Sequence, residues 1–262
     1  MIELLDKQLY IFDLDGTLYV GDRNLPGATQ TIERLRDLGK KVLFLTNNSS
    51  RSRKTYVTRL RDMGFGAKEN EVLTSGTVTV QYLLAHRPKA NIFLLGTPDL
   101  AEEFTEAGLT LTDEGADTVV VGCDTTLDYE RLMRAGILLQ QGAEFFATHP
   151  DLRCPGPEGF IPDCGAIAGA LTAGRGREAI ILGKPSAHTG EIVRRMTGIA
   201  TEDMLFVGDR LSTDIACGKR NGAHSLLVLT GEATEQDTVL CPPDQRPDAI
   251  LPSVAELFAG AY

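Results

Sequence analysis

Leu9–Phe12, Lys41–Leu45, Asn91–Leu95, Thr118–Val121, Phe145–Ala147, Ile180–Leu182, Met204–Val207 and Ser225–Leu229 are short runs, apolar at almost every position. A strand with one wet face alternates, so unbroken runs of this length predict strands buried on both faces. Between them, apolar positions recur at helical spacing. In 27–38, Ala28, Ile32, Leu35 and Leu38 share one side and Gly39 ends the stretch; in 51–63, Tyr56, Leu60 and Met63 do the same ahead of Gly64. Further helices are expected at 78–85, 98–107, 128–141, 166–173 and 189–198, through to Asn221, and at 253–259, with a weak strand near Ile250. Strand and helix in regular alternation predict an α/β fold, a doubly wound parallel sheet covered on both faces.

The rhythm restarts near Ser75 and returns to its first pattern after residue 180. Pro88 and the Gly174-Arg175-Gly176 stretch read as hinges of an inserted α/β domain of ordinary size. The expected division is a core of 1–79 plus 182–262 and an insertion of 80–181. The letters Gly174-x-Gly176-x-x-Ala179 fit a dinucleotide fingerprint, but a helix precedes them and a strand follows, the reverse of what that motif requires.

Composition narrows the function classes. Across 262 residues the apolar fraction of 42% supports a full core, and a net charge of −10 argues against nucleic acid and anionic membrane as partners. The five cysteines are odd in number and scattered, with no Cys-x-x-Cys, which suits a reducing compartment. The first seven residues lack the basic-then-apolar pattern of a leader, and no window could span a bilayer. A soluble cytoplasmic protein is expected, and a homodimer is left open.

The chemistry begins where the first strand ends. Asp13 and Asp15 follow Leu9–Phe12 directly, with Gly16 and Thr17 after them. Two carboxylates this close disfavour joint ionisation unless a cation lies between them. Mg2+ takes such oxygen ligands together with waters and a substrate phosphate. Three more polar clusters occupy similar positions: Thr46/Asn47, Lys184, and Asp209 with Thr213 and Asp214. In doubly wound sheets ligands bind outside the carboxyl ends of the strands, so these clusters are expected to converge. Carboxylates can hold a hard cation while a hydroxyl, amides and a lysine hold phosphate oxygens, and an aspartate can accept a phosphoryl group covalently.

Asp-Leu-Asp-Gly-Thr, Thr-Asn-Asn, Gly-Lys-Pro and Gly-Asp-Arg-Leu-x-Thr-Asp resemble the four motifs of the haloacid dehalogenase superfamily. The insertion between the second and third motifs resembles its subclass IIA, the NagD-type and 4-nitrophenylphosphatase-like enzymes. The resemblance implies a Rossmann-like core with an inserted α/β cap and a Mg2+-dependent phosphatase of small phosphorylated metabolites. Sugar phosphates, nucleoside monophosphates and phosphoglycolate are all compatible substrates. It implies Asp13 as nucleophile and Mg2+ ligand, and Asp15 as general acid/base whose backbone carbonyl also binds Mg2+. Thr46 and the Asn47 amide would hold the phosphoryl group, and Lys184 would neutralise it. Asp209 would complete the metal site, Asp214 would support it from behind or orient Lys184, and Arg210, Leu211, Ser212 and Thr213 would border the substrate.

Two rival readings use the same nucleophile: a phosphotransferase or mutase, and a phosphoryl-accepting switch module. The position of the insertion speaks against the first, and chain length and Asp15 against the second. His149, Asp151, Cys154, Asp163 and Cys164 cluster in sequence without zinc-site spacing and read better as a substrate-specificity loop. Arg51, Arg53, His86, His188, His224 and the acidic run Glu232–Asp237 read as solvated or structural.

Overall fold

The computed structural model describes residues 4–156, 158–175 and 178–259. The chain forms two compact units, one of Met1–Thr46, Tyr56–Leu73 and Lys184–Tyr262, the other of Asn47–Thr55 and Thr74–Gly183. Each has its own parallel sheet and its own core, as an α/β fold requires.

In the first unit the strands run Ala249–Leu251, His224–Val228, Met204–Gly208, Leu9–Phe12, Lys41–Thr46 and Val72–Thr74 across a six-stranded sheet. Leu9–Phe12 lies in the interior with a parallel neighbour on either side. All four of its residues are buried. Tyr10 and Phe12 face a core shared with Phe44, Leu205 and Val207. Each such side chain contributes roughly 1.5–3 kcal/mol by leaving water. Phe12 is in register with both Phe44 and Val207. The residues just beyond these partners therefore emerge side by side at the carboxyl edge, and the Asp13 amide donates to the Val207 carbonyl at 2.9 Å.

The second unit holds a five-stranded sheet in the order Ile180–Ile181, Glu144–Ala147, Thr118–Val121, Asn91–Leu95 and Thr110–Leu111. All its pairings are parallel. Its core joins Phe93, Val119, Val121 and Phe145 to Leu139, Ile167 and Leu171 from two helices. No helix among the described residues is long and apolar enough to cross a membrane.

The expected helices form with small shifts at their ends, but several local details differ, among them the unexpected strands Val72–Thr74 and Thr110–Leu111 and the helix Glu235–Leu240. The helix expected to run on to Asn221 begins as a wide turn, Leu211–Ile215, in which the Ile215 amide donates to the Arg210 carbonyl five residues back. Only Ala216–Arg220 is α-helical. The expected helix at 253–259 is a tighter 3₁₀ segment, Val254–Phe258. The Tyr19–Val20 and Arg23–Asn24 hairpin and the Arg153–Gly156 and Gly159–Pro162 pair were not foreseen. These strands are too short to show a period. Gly176, read from sequence as part of a hinge, lies outside the described residues, as do Met1–Glu3 of the leader reading.

Candidate active site

Three carboxylates and one ammonium converge at the carboxyl edge of the first unit's sheet. Asp13 leaves Leu9–Phe12, Asp209 leaves Met204–Gly208, and Asp214 returns on the wide turn that follows. One oxygen from each of these three residues lies within 4.8 Å of the others. Lys184 Nζ donates to Asp13 Oδ1 at 2.5 Å, Asp214 Oδ1 at 2.6 Å and the Leu45 carbonyl at 3.0 Å. The ammonium is only 3% exposed, so all three of its protons are used inside the protein.

The turn after Asp209 explains why Asp214 can reach inward. An i→i+5 turn carries one residue more than an α-helical turn, and such bulges concentrate at functional sites. Here it buries Thr213, Asp214 and Ile215 together. The second Asp214 oxygen accepts from the Arg210 amide at 3.1 Å, which fixes the carboxylate from both sides.

Asp209 sits in a cradle of glycines. The Glu232 amide donates to Asp209 Oδ2 at 2.8 Å. A Cβ added at Gly231 would fall 2.0 Å from that oxygen, and one at Gly16 2.6 Å from it. Gly16 also has a φ of +86°, which suits glycine and turns the Asp15 loop. Gly231→Ala is therefore expected to displace the Asp209 carboxylate while leaving both cores intact. Misplacement on the ångström scale costs roughly 100-fold in turnover. Steady-state kinetics beside a Mg2+ titration checks this, and wild-type values for both would refute the cradle's role.

Burial without enough positive charge shows in the acidities. Burial holds the Asp13 carboxyl well above the ordinary range despite Lys184. Asp209 is pushed up to about 6 by burial and by Asp214, against the pull of the Glu232 amide and Arg210. For Lys184, burial would lower the ammonium, but Asp13 and Asp214 outweigh it and hold it protonated far above neutrality. Three ionised carboxylates against one ammonium leave two negative charges uncompensated. A hard divalent cation with oxygen ligands fits that donor set and that charge.

The other expected residues differ in burial and position. Thr46 ends its strand and is buried; Thr213 is buried, Arg210 and Leu211 are half-buried, and Ser212 is exposed. The Asp15 side chain stands outside the carboxylate group. Partial burial raises its carboxyl, while Arg59, Arg210 and the Gly21 amide pull it back. Asn47 belongs to the second unit, where its carboxamide donates to Asp151 Oδ2 at 3.1 Å.

Sequence reading missed Arg59, the glycine cradle and the Glu232 amide. Arg59 sits on the helix Arg53–Asp62, bonds the Gly21 carbonyl and pairs with Asp22 at 3.1 Å, so it braces the loop that carries Asp15. Nothing local distinguishes it from the other basic residues of that helix. A signal existed for Gly231 and Glu232. They follow the apolar strand His224–Val228 in the same strand-end position that located the other clusters.

With this geometry in hand, similarity to known proteins is informative. The haloacid dehalogenase-like hydrolase signature matches residues 10–110, and a related HAD hydrolase-like signature matches 181–257. An acid sugar phosphatase of Staphylococcus haemolyticus is 35% identical over 239 residues, 91% of this chain and 90% of that protein. The crystal structure of a 4-nitrophenylphosphatase from Thermotoga maritima superposes with a TM-score of 0.94 at 40% identity, covering 100% of both chains. A glycerol phosphate phosphatase from Mycobacterium tuberculosis, solved in complex with magnesium, superposes at 0.91 with 30% identity, covering 98% of this chain and 78% of that one.

Proposed function

As a member of the haloacid dehalogenase-like hydrolases, of the NagD and 4-nitrophenylphosphatase type, this chain is a phosphatase, and we propose that it hydrolyses small phosphate monoesters with Mg2+ through an aspartyl-phosphate on Asp13. The observation that carries this reading is the buried ammonium of Lys184 between Asp13 and Asp214, with Asp209 completing three carboxylates around one point.

Asp13, Asp209 and the Asp15 carbonyl would hold the metal. When bound, Mg2+ lets the carboxylates stay ionised together and offsets charge on the phosphoryl oxygens. Lys184 engages Asp13 Oδ1 and leaves the other Asp13 oxygen as the attacking atom. That oxygen displaces the ester oxygen from phosphorus, and the departing alkoxide takes the proton of Asp15. Partial burial makes Asp15 a weaker acid and so favours the protonated form this step needs. Asp15, now a carboxylate, accepts a proton from the water that attacks the phosphorus. The bond to Asp13 breaks and inorganic phosphate leaves. Thr46, with the peptide amide that follows it, is assigned the transferring oxygens. Phosphoryl transfer asks for positioning and charge neutralisation more than covalent work, and these residues supply both.

The inserted unit is assigned the choice of leaving group, as a cap. Sugar phosphates, glycerol phosphate and nucleoside monophosphates form the proposed substrate range. It is supported by the sugar phosphatase and glycerol phosphate phosphatase among the similar proteins.

Phosphate release from a panel of phosphorylated metabolites, with 4-nitrophenyl phosphate as a generic probe, tests the reading. Turnover is expected with Mg2+ and is expected to vanish with a chelator and return when Mg2+ is restored. A folded protein that releases no phosphate from any ester with Mg2+ present would sink it. Chelator-resistant turnover would remove the metal from the proposal.

A further inference from the structure

The second unit carries its own convergence of ligating side chains, built entirely from residues 123–163. Cys123 follows the strand Thr118–Val121, and His149 and Asp151 follow the strand Glu144–Ala147. Both positions are carboxyl ends of parallel strands, where α/β sheets place their ligands. Cys154 comes from the strand Arg153–Gly156, and Asp163 precedes the helix Cys164–Arg175. Sulfurs of Cys123 and Cys154 and a carboxylate oxygen of Asp163 lie within 4.8 Å of one another, as do donor atoms of His149, Asp151 and Asp163. Asp163 belongs to both groups.

His149 provides the independent observation. It is fully buried, and neither of its ring nitrogens makes a hydrogen bond. A buried polar group left in that state is destabilising, so it calls for a partner. Its Nε2 stands 3.4 Å from Asp163 Oδ1, and its Nδ1 3.2 Å from Asp151 Oδ2. The first separation, misaligned for a hydrogen bond, is close to the roughly 3.3 Å edge between two light-atom ligands of a tetrahedral zinc. The second places a carboxylate where the outer partner of a metal-bound histidine would stand, from which it would take the other ring N–H and fix the tautomer. Asp163 is itself oriented from behind, because Oδ1 accepts the Cys164 amide at 2.7 Å. Cys164 points elsewhere, its thiol donating to the Val121 carbonyl at 3.2 Å.

We propose that the second unit binds a thiophilic divalent cation of the zinc class through Cys123, Cys154, Asp163 and His149, with Asp151 orienting His149. The thiol pair and the imidazole belong to two groups that share Asp163. With His149 drawn onto the thiol pair, two sulfurs, one nitrogen and one oxygen would make a tetrahedral donor set unlike the all-oxygen centre of the first unit, and softness of the ligands selects the metal. The five cysteines form no disulfide, so both thiols are available to lose their protons to the cation. The proposal rests on second-unit residues alone and does not depend on the phosphatase reading.

Cobalt titration of the intact, metal-stripped protein tests the proposal. It is run with a non-thiol reductant and excess Mg2+, which occupies oxygen sites and cannot give thiolate colour. One equivalent of Co2+ is expected to produce a thiolate-to-cobalt charge-transfer band that Zn2+ displaces. The band should persist in Asp13→Asn, which alters only the first unit, and should be lost in Cys154→Ser, a near-isosteric change at a half-buried position that leaves circular dichroism unchanged. Asp151→Asn should weaken the metal about 10- to 100-fold. No charge-transfer band in the reduced, folded wild type overturns the site, as does a full band in Cys154→Ser. Unchanged affinity in Asp151→Asn removes His149 from the ligand set.

Discussion

Replacing Asp13 by Asn is expected to lower phosphate release by at least about four orders of magnitude with no loss of fold. The amide matches the carboxylate in shape but offers no nucleophilic oxygen, so neither the covalent step nor its metal ligand survives. The fold is spared because Lys184 keeps Asp214 Oδ1 and the Leu45 carbonyl as acceptors. No buried ammonium is orphaned. Burial already disfavours the charged form of Asp13, so removing that charge relieves a crowded site. Measured with 4-nitrophenyl phosphate beside circular dichroism, the variant should be native in spectrum and inert in turnover. Retention of more than about one per cent of wild-type turnover would exclude Asp13 as the nucleophile.

Lys184→Met is expected to be more damaging, because it strikes stability and chemistry together. The methionine matches the stem in length and removes only the charge, leaving Asp13 and Asp214 facing each other with the cation that joined them gone. Breaking a buried pair in this way costs about 3–5 kcal/mol. Urea denaturation in chelator should show that loss, and Mg2+ should restore part of it by binding only the folded state. The loss should be smaller at mildly acidic pH than at neutral pH. Carboxyls held above their ordinary range bind protons more tightly in the folded chain than in the unfolded one. Folded-state stability therefore falls as pH rises through their titration. A variant as stable as wild type in chelator at neutral pH would show that the ammonium does not hold the carboxylates together. Turnover should fall at least about a thousandfold, since a neutralising group acting on the transferring phosphoryl is gone.

Much of this centre was legible in the sequence for one physical reason. A run such as Leu9–Phe12 or Met204–Gly208, apolar throughout, can only be a strand with neighbours on both edges and a core on both faces. Parallel strands end together, so the polar residues that follow them must meet, however far apart they stand in sequence. Asp13 and Asp209 needed no more than that. The distance that matters is set by the sheet, and the sheet is written in the pattern of apolar residues.

What the pattern could not carry is the approach of side chains from loops and helix faces, where no period constrains them. Asp214 reaches Lys184 and the other two carboxylates because a wide turn replaces the α-helix expected there. Arg59 braces the Asp15 loop from a helix whose sequence holds several equivalent basic residues. Gly231 matters through the 2.0 Å that a methyl group would leave to Asp209, a quantity no local rule contains. The same holds for the second cluster. Cys154 and Asp163 stand near each other in sequence, but Cys123 joins them only because the strand before it lies beside the strand that leads to His149. Burial pattern and the places where strands end were thus determined locally by the sequence. The third member of each cluster, the cradle and the brace were decided by tertiary packing, because they depend on ångström-scale separations between segments that share no periodicity.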